Sequence, residues 1–299
     1  MKRAALAAAT FAVLCLPAST GEAQAWTRDA GDGYVNLSYR YLGADSFYGN
    51  DGARVGSTPF RQHAIGLYGE VGVVDRWLML TLGGDPMRRN ELVDLGATTG
   101  LSDLSVGAWT GLLVEPFRLA FGVTVGLPTG DPSPDAGPGA DTVAQLTART
   151  LPTGDGETDV TLQVAAGHGF RIPDTSLELF VQAVLGYAIR TTGFTDQIVY
   201  RAEAGLRIRE PFVERFLLIV RLTGTELLGS STAIGGVAGV GDGISFTALG
   251  PELLFEIGEG FGLGFGADFA FRATNLPAAV ALKGSISYRW DFVPPGSES

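Results

Sequence analysis

The chain has 299 residues, 45% of them hydrophobic, and a formal net charge of −11 at neutral pH. With no basic stripe to offset that acidity, nucleic acid is excluded as a partner. A single cysteine, Cys15, excludes a disulfide framework, and two widely separated histidines, His63 and His168, supply no metal-ligand cluster. Glycine is the unusual feature, at 43 residues.

Met1-Lys2-Arg3 forms a basic start, Ala4–Leu16 is apolar, and Ala23-Gln24-Ala25 is an A-x-A cleavage site. Residues 1–25 therefore read as a signal peptide cleaved before Trp26, and Cys15 leaves with it. The apolar run is too short to cross about 30 Å of hydrocarbon as a helix. No Pro/Ser-rich linker divides the rest, so residues 26–292 read as one domain, followed by a short periplasmic tail, 293–299.

Past Trp26 the apolar residues recur at every second position, the mark of strands with one apolar face. In GYVNLSYRYL, Val35, Leu37, Tyr39 and Tyr41 share a face, while Asn36, Ser38 and Arg40 share the other. The pattern predicts strands near 33–42, 62–72, 76–83, 102–113, 117–127, 159–170, 177–190, 197–208, 216–224, 244–257, 261–271 and 279–292. Most reach the 9–11 residues that a tilted membrane strand needs. The connections alternate: short at VVDRW, LVEPF and RIPDTS, longer after residues 42, 83, 127 and 224. A soluble sandwich has shorter strands and no such alternation. The fold class expected is all-β, a closed antiparallel transmembrane barrel of about 12 strands with short periplasmic turns and long extracellular loops.

Aromatic residues test that topology. With a periplasmic N-terminus, Phe117, Phe170, Phe216, Phe261, Trp290 and Phe292 fall at periplasmic strand ends, and Tyr39, Tyr41, Tyr187, Tyr200, Phe269 and Phe271 at extracellular ends. All lie on the expected outward face, as two interfacial girdles require. The last strand, Gly284 to Phe292, alternates aromatics like a C-terminal barrel-assembly signal, although VPPGSES follows it.

LPTGD occurs twice, at Leu127–Asp131 and Leu151–Asp155. Pro128 ends one strand's ladder, and the second copy leads through GETD into the next strand. The two copies bracket one acidic loop carrying Asp131, Asp135, Asp141, Asp155, Glu157 and Asp159 against Arg149. With little apolar surface to bury, that loop is expected to be mobile at the extracellular mouth. Its spacing matches neither a Ca²⁺-binding EF-hand loop nor a phosphate-cradling loop.

The segments GLYGEVGVVDRWLMLTLGGD (66–85), GLSDLSVGAWTGLL (100–113), GLPTGD (126–131) and LPTGDGETDVTLQVAAGHGF (151–170) resemble the outer-membrane barrels of the MetA-pathway phenol-degradation family. Gly100-Leu101-Ser102-Asp103 departs from that family's "GxGD" element by a serine, and residues 171–299 match by pattern only. The resemblance implies placement in the bacterial outer membrane and passage of small, often apolar molecules. It supplies no catalytic residues.

The function expected is diffusive passage of a small, weakly polar or apolar solute, without enzyme activity, cofactor or metal. Inward positions include Trp109, Phe180, Glu203, Arg207, Arg221, Phe246, Glu252, Asp268 and Lys283. Trp109, Phe180 and Phe246 are candidates for solute contact, with space-filling as their plainer role. If the turn after residue 208 centres near 212, Glu203 faces Arg221. Mixed charge signs argue against a strongly ion-selective pore. The partners implied are outer-membrane lipids and lipopolysaccharide, the solute and the barrel-assembly machinery. Two other readings compete. One is a structural or surface-interaction barrel. The other is a lipid hydrolase using His63 as base, for which no Gly-x-Ser-x-Gly element exists.

Overall fold

Period-two strands with an apolar outer face leave their backbone groups only one way to be satisfied in hydrocarbon, which is to pair around a closed cylinder. The computed structural model describes residues 25–137, 142–210, 213–229, 241–258 and 260–291. Its strands are β1 (Gly33–Tyr48), β2 (Arg54–Val74), β3 (Leu78–Leu92), β4 (Gly96–Gly100), β5 (Leu104–Leu113), β6 (Arg118–Leu127), β7 (Asp159–Arg171), β8 (Leu177–Arg190), β9 (Gln197–Glu210), β10 (Val213–Leu227), β11 (Ser245–Glu256), β12 (Phe261–Thr274), β13 (Leu276–Pro277) and β14 (Val280–Trp290). One helix, α1 (Val143–Arg149), interrupts them.

Twelve of these strands form a closed antiparallel barrel, with β4 and β13 as short additions above the wall. Each barrel strand pairs with its neighbours in sequence, and β1 closes the cylinder on β14 from Gly33↔Trp290 to Leu42↔Ala281. No described helix is long and apolar enough to cross a membrane. Leu80, Val106, Leu162, Leu185, Val220 and Leu263 stand exposed on the outer face, an apolar belt that only lipid can cover.

The wall is taller than the sequence pattern indicates on one side. β2 begins at Arg54 rather than 62, and β3 runs to Leu92 where a loop was expected after 83. Above the outer aromatic ring these strands no longer face acyl chains, so polar residues such as Arg61, Arg89 and Glu91 interrupt the apolar alternation while the ladder continues. The wall is lowest where β6 ends at Leu127 and β7 begins at Asp159.

A barrel of this size encloses more space than its own inward side chains fill. Two chain segments occupy it. On the periplasmic side the N-terminal residues are strapped to the β2–β3 turn. Thr27 Oγ1 donates to Arg76 O (2.6 Å) and Gly31 N to Gly72 O (2.9 Å). The segment around Trp26 lies in the lumen. Ala25 is buried with Met79, Trp109, Ala120, Ala165 and Val184, and Trp26 packs on that cluster. On the extracellular side the 128–158 connection folds inward, burying Ala148 and Leu151 against Leu42, Phe47, Phe60 and Leu92.

Inward glycines make room for the large rings. Trp109 of β5 lies flat across Gly122 of β6, where a Cβ would stand 2.4 Å from the indole. Phe180 of β8 covers Gly205 of β9 in the same way, at 2.3 Å. Gly122→Val is therefore expected to displace Trp109 and its N-terminal cover, destabilising the barrel by about 1–3 kcal/mol. Urea unfolding followed by the gel mobility of unboiled protein measures it. Unchanged unfolding would show that Trp109 has room to move.

Candidate functional site

Between the N-terminal segment below and the inward-folded loop above lies a cavity of about 420 Å³. Its wall mixes apolar and charged groups: Val184, Val199 and Phe246 face the same space as Arg40, Asp85, Arg190, Arg201, Arg221, Asp268 and Lys283.

On its extracellular side Asp155, the last residue of the second LPTGD copy, and Glu157 line the cavity, and the two copies meet beside them. They pack directly on one another: Thr153 N donates to Asp131 O (2.8 Å), and Asp131 N to Thr153 Oγ1 (3.0 Å). Gly130 and Gly154 approach so closely that a Cβ on Gly130 would stand 2.5 Å from the Gly154 Cα. The Asp103 carboxylate clasps both copies, with one oxygen accepting from Gly130 N (2.9 Å) and the other from Asp155 N (2.7 Å). From β3, Asn90 Nδ2 donates to Pro152 O (2.7 Å) and Arg88 to Thr153 O (3.4 Å).

The expectation that much of the loop is weakly held is corrected for its second LPTGD copy alone. Residues 151–154 are buried, while most described residues of 128–137 and 142–150 are exposed. Two of the loop's apolar residues, Ala148 and Leu151, reach one pocket, while Val143 and Leu146 stay exposed, and a single aspartate satisfies two backbone donors. The helix α1 was also missed. Thr142 and Gln145 make a reciprocal capping box, Thr142 Oγ1 accepting from Gln145 N at 3.2 Å. Asp141 lies outside the described residues.

Beneath the loop, Arg190 bonds to Asp155 (3.0 Å) and Glu157, with Asp242 at 3.9 Å. Three carboxylates thus share one guanidinium. Burial pushes the Asp155 carboxyl up to about 6, reinforced by the Asp103 charge. Burial likewise pushes Glu157 up to about 8; the Arg190 attraction opposes this, but it is shared.

At mid-height the charges form a continuous balanced chain. Arg221 joins Glu203, its partner in the β9–β10 register, to Glu252 (3.1 Å). Lys283 continues from Glu252 (2.8 Å) to Asp268 (3.7 Å), and Arg201 stands 3.6 Å from Glu203. Gln182 donates to Glu203 as well. Lower down, Arg207 pairs with Glu178 (3.0 Å), and Glu256 holds Arg215 and Arg289 (3.4 Å).

These placements separate the sequence-derived lumen residues. Phe246, Arg221, Asp268 and Lys283 line the cavity; Glu203 and Glu252 stand behind Arg221 and Lys283 as their counter-ions. Arg207 lies lower, over the Phe180 ring at 5.9 Å. Trp109 is 1% exposed beneath the N-terminal segment, and Phe180 packs with Leu217, Ile219 and Leu254. Sequence reasoning missed Asp85, Asp155 and Arg190 on the cavity wall: Asp85 lies in an assumed loop, Asp155 faces inward only through the loop's fold, and Arg190 ends β8 on the inward face that alternation assigns to Phe180 and Val184.

Both histidines are on the outer wall. Tyr39 Oη bonds His63 Nδ1 (2.6 Å), and His168 sits between Phe117 and Phe170 with Nδ1 2.7 Å from Pro116 O. Among the described residues neither has a serine hydroxyl as a hydrogen-bond partner.

Two measurements test this electrostatic design. Raised carboxyl pKa values mean that the docked loop holds protons the undocked loop does not. Their contribution to docking is complete below about pH 4 and is lost as pH rises through 6 and then 8. Hydrogen–deuterium exchange of residues 150–158, corrected for intrinsic rate, should show less protection at pH 9 than at pH 5; equal protection would contradict it. Separately, Arg221→Gln leaves Glu203 and Glu252 buried without their main partner. It should cost about 3–5 kcal/mol of unfolding free energy, far more than the exposed control Arg272→Gln.

Comparison with known proteins places the fold. No family model matches the chain, and no curated protein matches it. Among solved structures it is similar to the COG4313 outer membrane channel from Pseudomonas putida F1, with 16% identity and a TM-score of 0.58 over 89% of this chain and 97% of that one. The β domain of the Bordetella autotransporter BrkA is more distant, with 12% identity and a TM-score of 0.48 over 88% of this chain and 100% of that one. The closed ladder, the exposed apolar belt and this shared architecture make the chain a transmembrane β-barrel of the bacterial outer membrane.

Proposed function

We propose that the barrel is a passive channel for small, weakly polar or apolar solutes, working without enzyme chemistry, nucleotide or redox cofactor. The observation that carries this reading is the cavity of about 420 Å³ held inside a closed barrel between two chain segments. That volume suits a small molecule rather than a polymer. Phe246, Val184 and Val199 offer apolar contact, while the ion pairs around them are already matched to one another and leave little net field for a permeant ion. The fold is shared with a protein described as an outer membrane channel, which agrees with the reading.

In this account residues 1–25 are a cleaved signal, so that Trp26 rather than Ala25 remains on the Trp109 cluster in the mature chain; 26–292 form the barrel, and 293–299 are a periplasmic tail. The barrel-assembly machinery inserts the chain, and lipid surrounds it. The N-terminal residues and the 128–158 loop then act as the lower and upper restrictions on passage. A structural barrel is the second reading, favoured by the packing of those two segments inside the lumen.

Planar-bilayer recording and cellular uptake separate the two. Intact protein should show small conductance with weak ion selectivity, and removal of residues 26–32 should raise the conductance several-fold. Cells carrying the gene should take up an apolar aromatic or fatty compound faster than cells without it. No conductance in either form, with no uptake difference, would leave the structural barrel as the better account.

A further inference from the structure

The outer wall carries a second feature, independent of the lumen. Across β1, β2, β3 and β4 the register aligns outward-facing side chains in level rows. The row Tyr39–Ile65–Met87 is apolar, and Leu101 continues it with 40% exposure. One step toward the extracellular side the row is Tyr41–His63–Arg89–Thr99. The next is Gly43–Arg61–Glu91–Ala97. The change from apolar to basic within a single step marks the boundary between acyl chains and headgroups of the outer leaflet.

The cations at that boundary are differently placed from others on the outer wall. Arg272 is neutralised by Glu226 (2.8 Å). Arg89 is held on one side by Glu91 (3.2 Å), with its side chain 46% exposed. Arg61 is exposed, and among the described residues it makes no hydrogen bond or ion pair. Two guanidinium groups against one carboxylate leave the rows with positive charge. Beside Thr99 opens a shallow cavity of about 260 Å³, walled by Thr98, Leu101, Thr129 and Thr153, whose lining suits a sugar ring's hydroxyls.

We propose that this wall binds the phosphate-bearing glycolipid of the outer leaflet, lipid A. Its acyl chains lie on Ile65, Met87 and Leu101. Its phosphate is held by Arg61 and Arg89, since guanidinium groups match phosphate oxygens in paired hydrogen bonds. Tyr39 and Tyr41 flank the site, with His63 fixed between them by the Tyr39 hydroxyl. The phosphate contact is direct and basic; of the acidic loop's carboxylates only Asp131 borders the site, in the cavity beside Thr99.

The test uses the whole barrel purified in detergent with a chelator present, so that bridging through Glu91 by a divalent ion does not contribute. Native mass spectrometry counts bound bisphosphorylated lipid A, the same lipid stripped of phosphate, and inorganic phosphate as competitor. The expected result is at least fivefold tighter binding of the phosphorylated lipid. The double variant Arg61→Gln/Arg89→Gln should lose at least fivefold, and Arg272→Gln should match wild type. Arg61→Gln alone, which removes no described contact, guards against misfolding and should lose at least twofold. Equal binding of the stripped lipid, or of the double variant, would reduce the site to annular lipid and overturn the proposal. Full competition by inorganic phosphate at the lipid's own concentration would overturn it in favour of a free-anion site.

Discussion

Every other feature of this protein depends on backbone hydrogen bonding in a medium without water. An unpaired N–H or C=O in hydrocarbon costs several kcal/mol, so the sheet has no tolerable edge and must join β1 to β14. Closure fixes the side-chain arrangement, because successive residues then face lipid and lumen in turn. It also fixes the interior problem. Twelve strands enclose a lumen too wide for their own side chains to fill, yet lined by many ionisable groups. Two solutions coexist. Charges are matched in chains such as Glu203–Arg221–Glu252–Lys283–Asp268. Backbone segments from outside the wall fill the remaining volume.

The part of this design governed by alternation is legible in the sequence. Leu37 and Tyr39 against Ser38 and Arg40 already state which face meets lipid, and the short turn after β9 is enough to set Glu203 opposite Arg221. The interior fill is not legible in the same way. Nothing local distinguishes a loop that covers the mouth from one that dives into it. Ala148 and Leu151 look like stray apolar residues until the pocket formed by Leu42, Phe60 and Leu92 is known. Those three come from β1, β2 and β3, far away in sequence. Trp109 shows the same limit: its inward direction follows from alternation, but its burial under Ala25 and Trp26 does not.

The repeated LPTGD motif acquires its meaning only in three dimensions. Neither copy begins a structural repeat. Each ends in a tight Gly-Asp turn, and the two turns meet because Gly130 and Gly154 carry no side chain to hold them apart. Asp103, from the third sequence element GLSD, accepts from both. Three short motifs that seem independent along the chain are thus one clasp. This explains why a loop so poor in apolar residues is nevertheless seated.

The clasp and the charge chain differ in one respect that bears on passage through the barrel. At mid-height acids and bases alternate, so opening that layer would expose unmatched charges and is opposed at every pH at which both signs are ionised. Around Arg190 the carboxylates outnumber their cation, and docking of the upper loop depends on retained protons. The weaker layer is therefore the one facing the external medium. A solute entering from outside meets a restriction whose hold varies with its surroundings, above an inner layer that does not vary. On these energetics, movement of the 151–157 segment of the loop, rather than breathing of the barrel wall, is the least costly rearrangement on the extracellular side of the cavity.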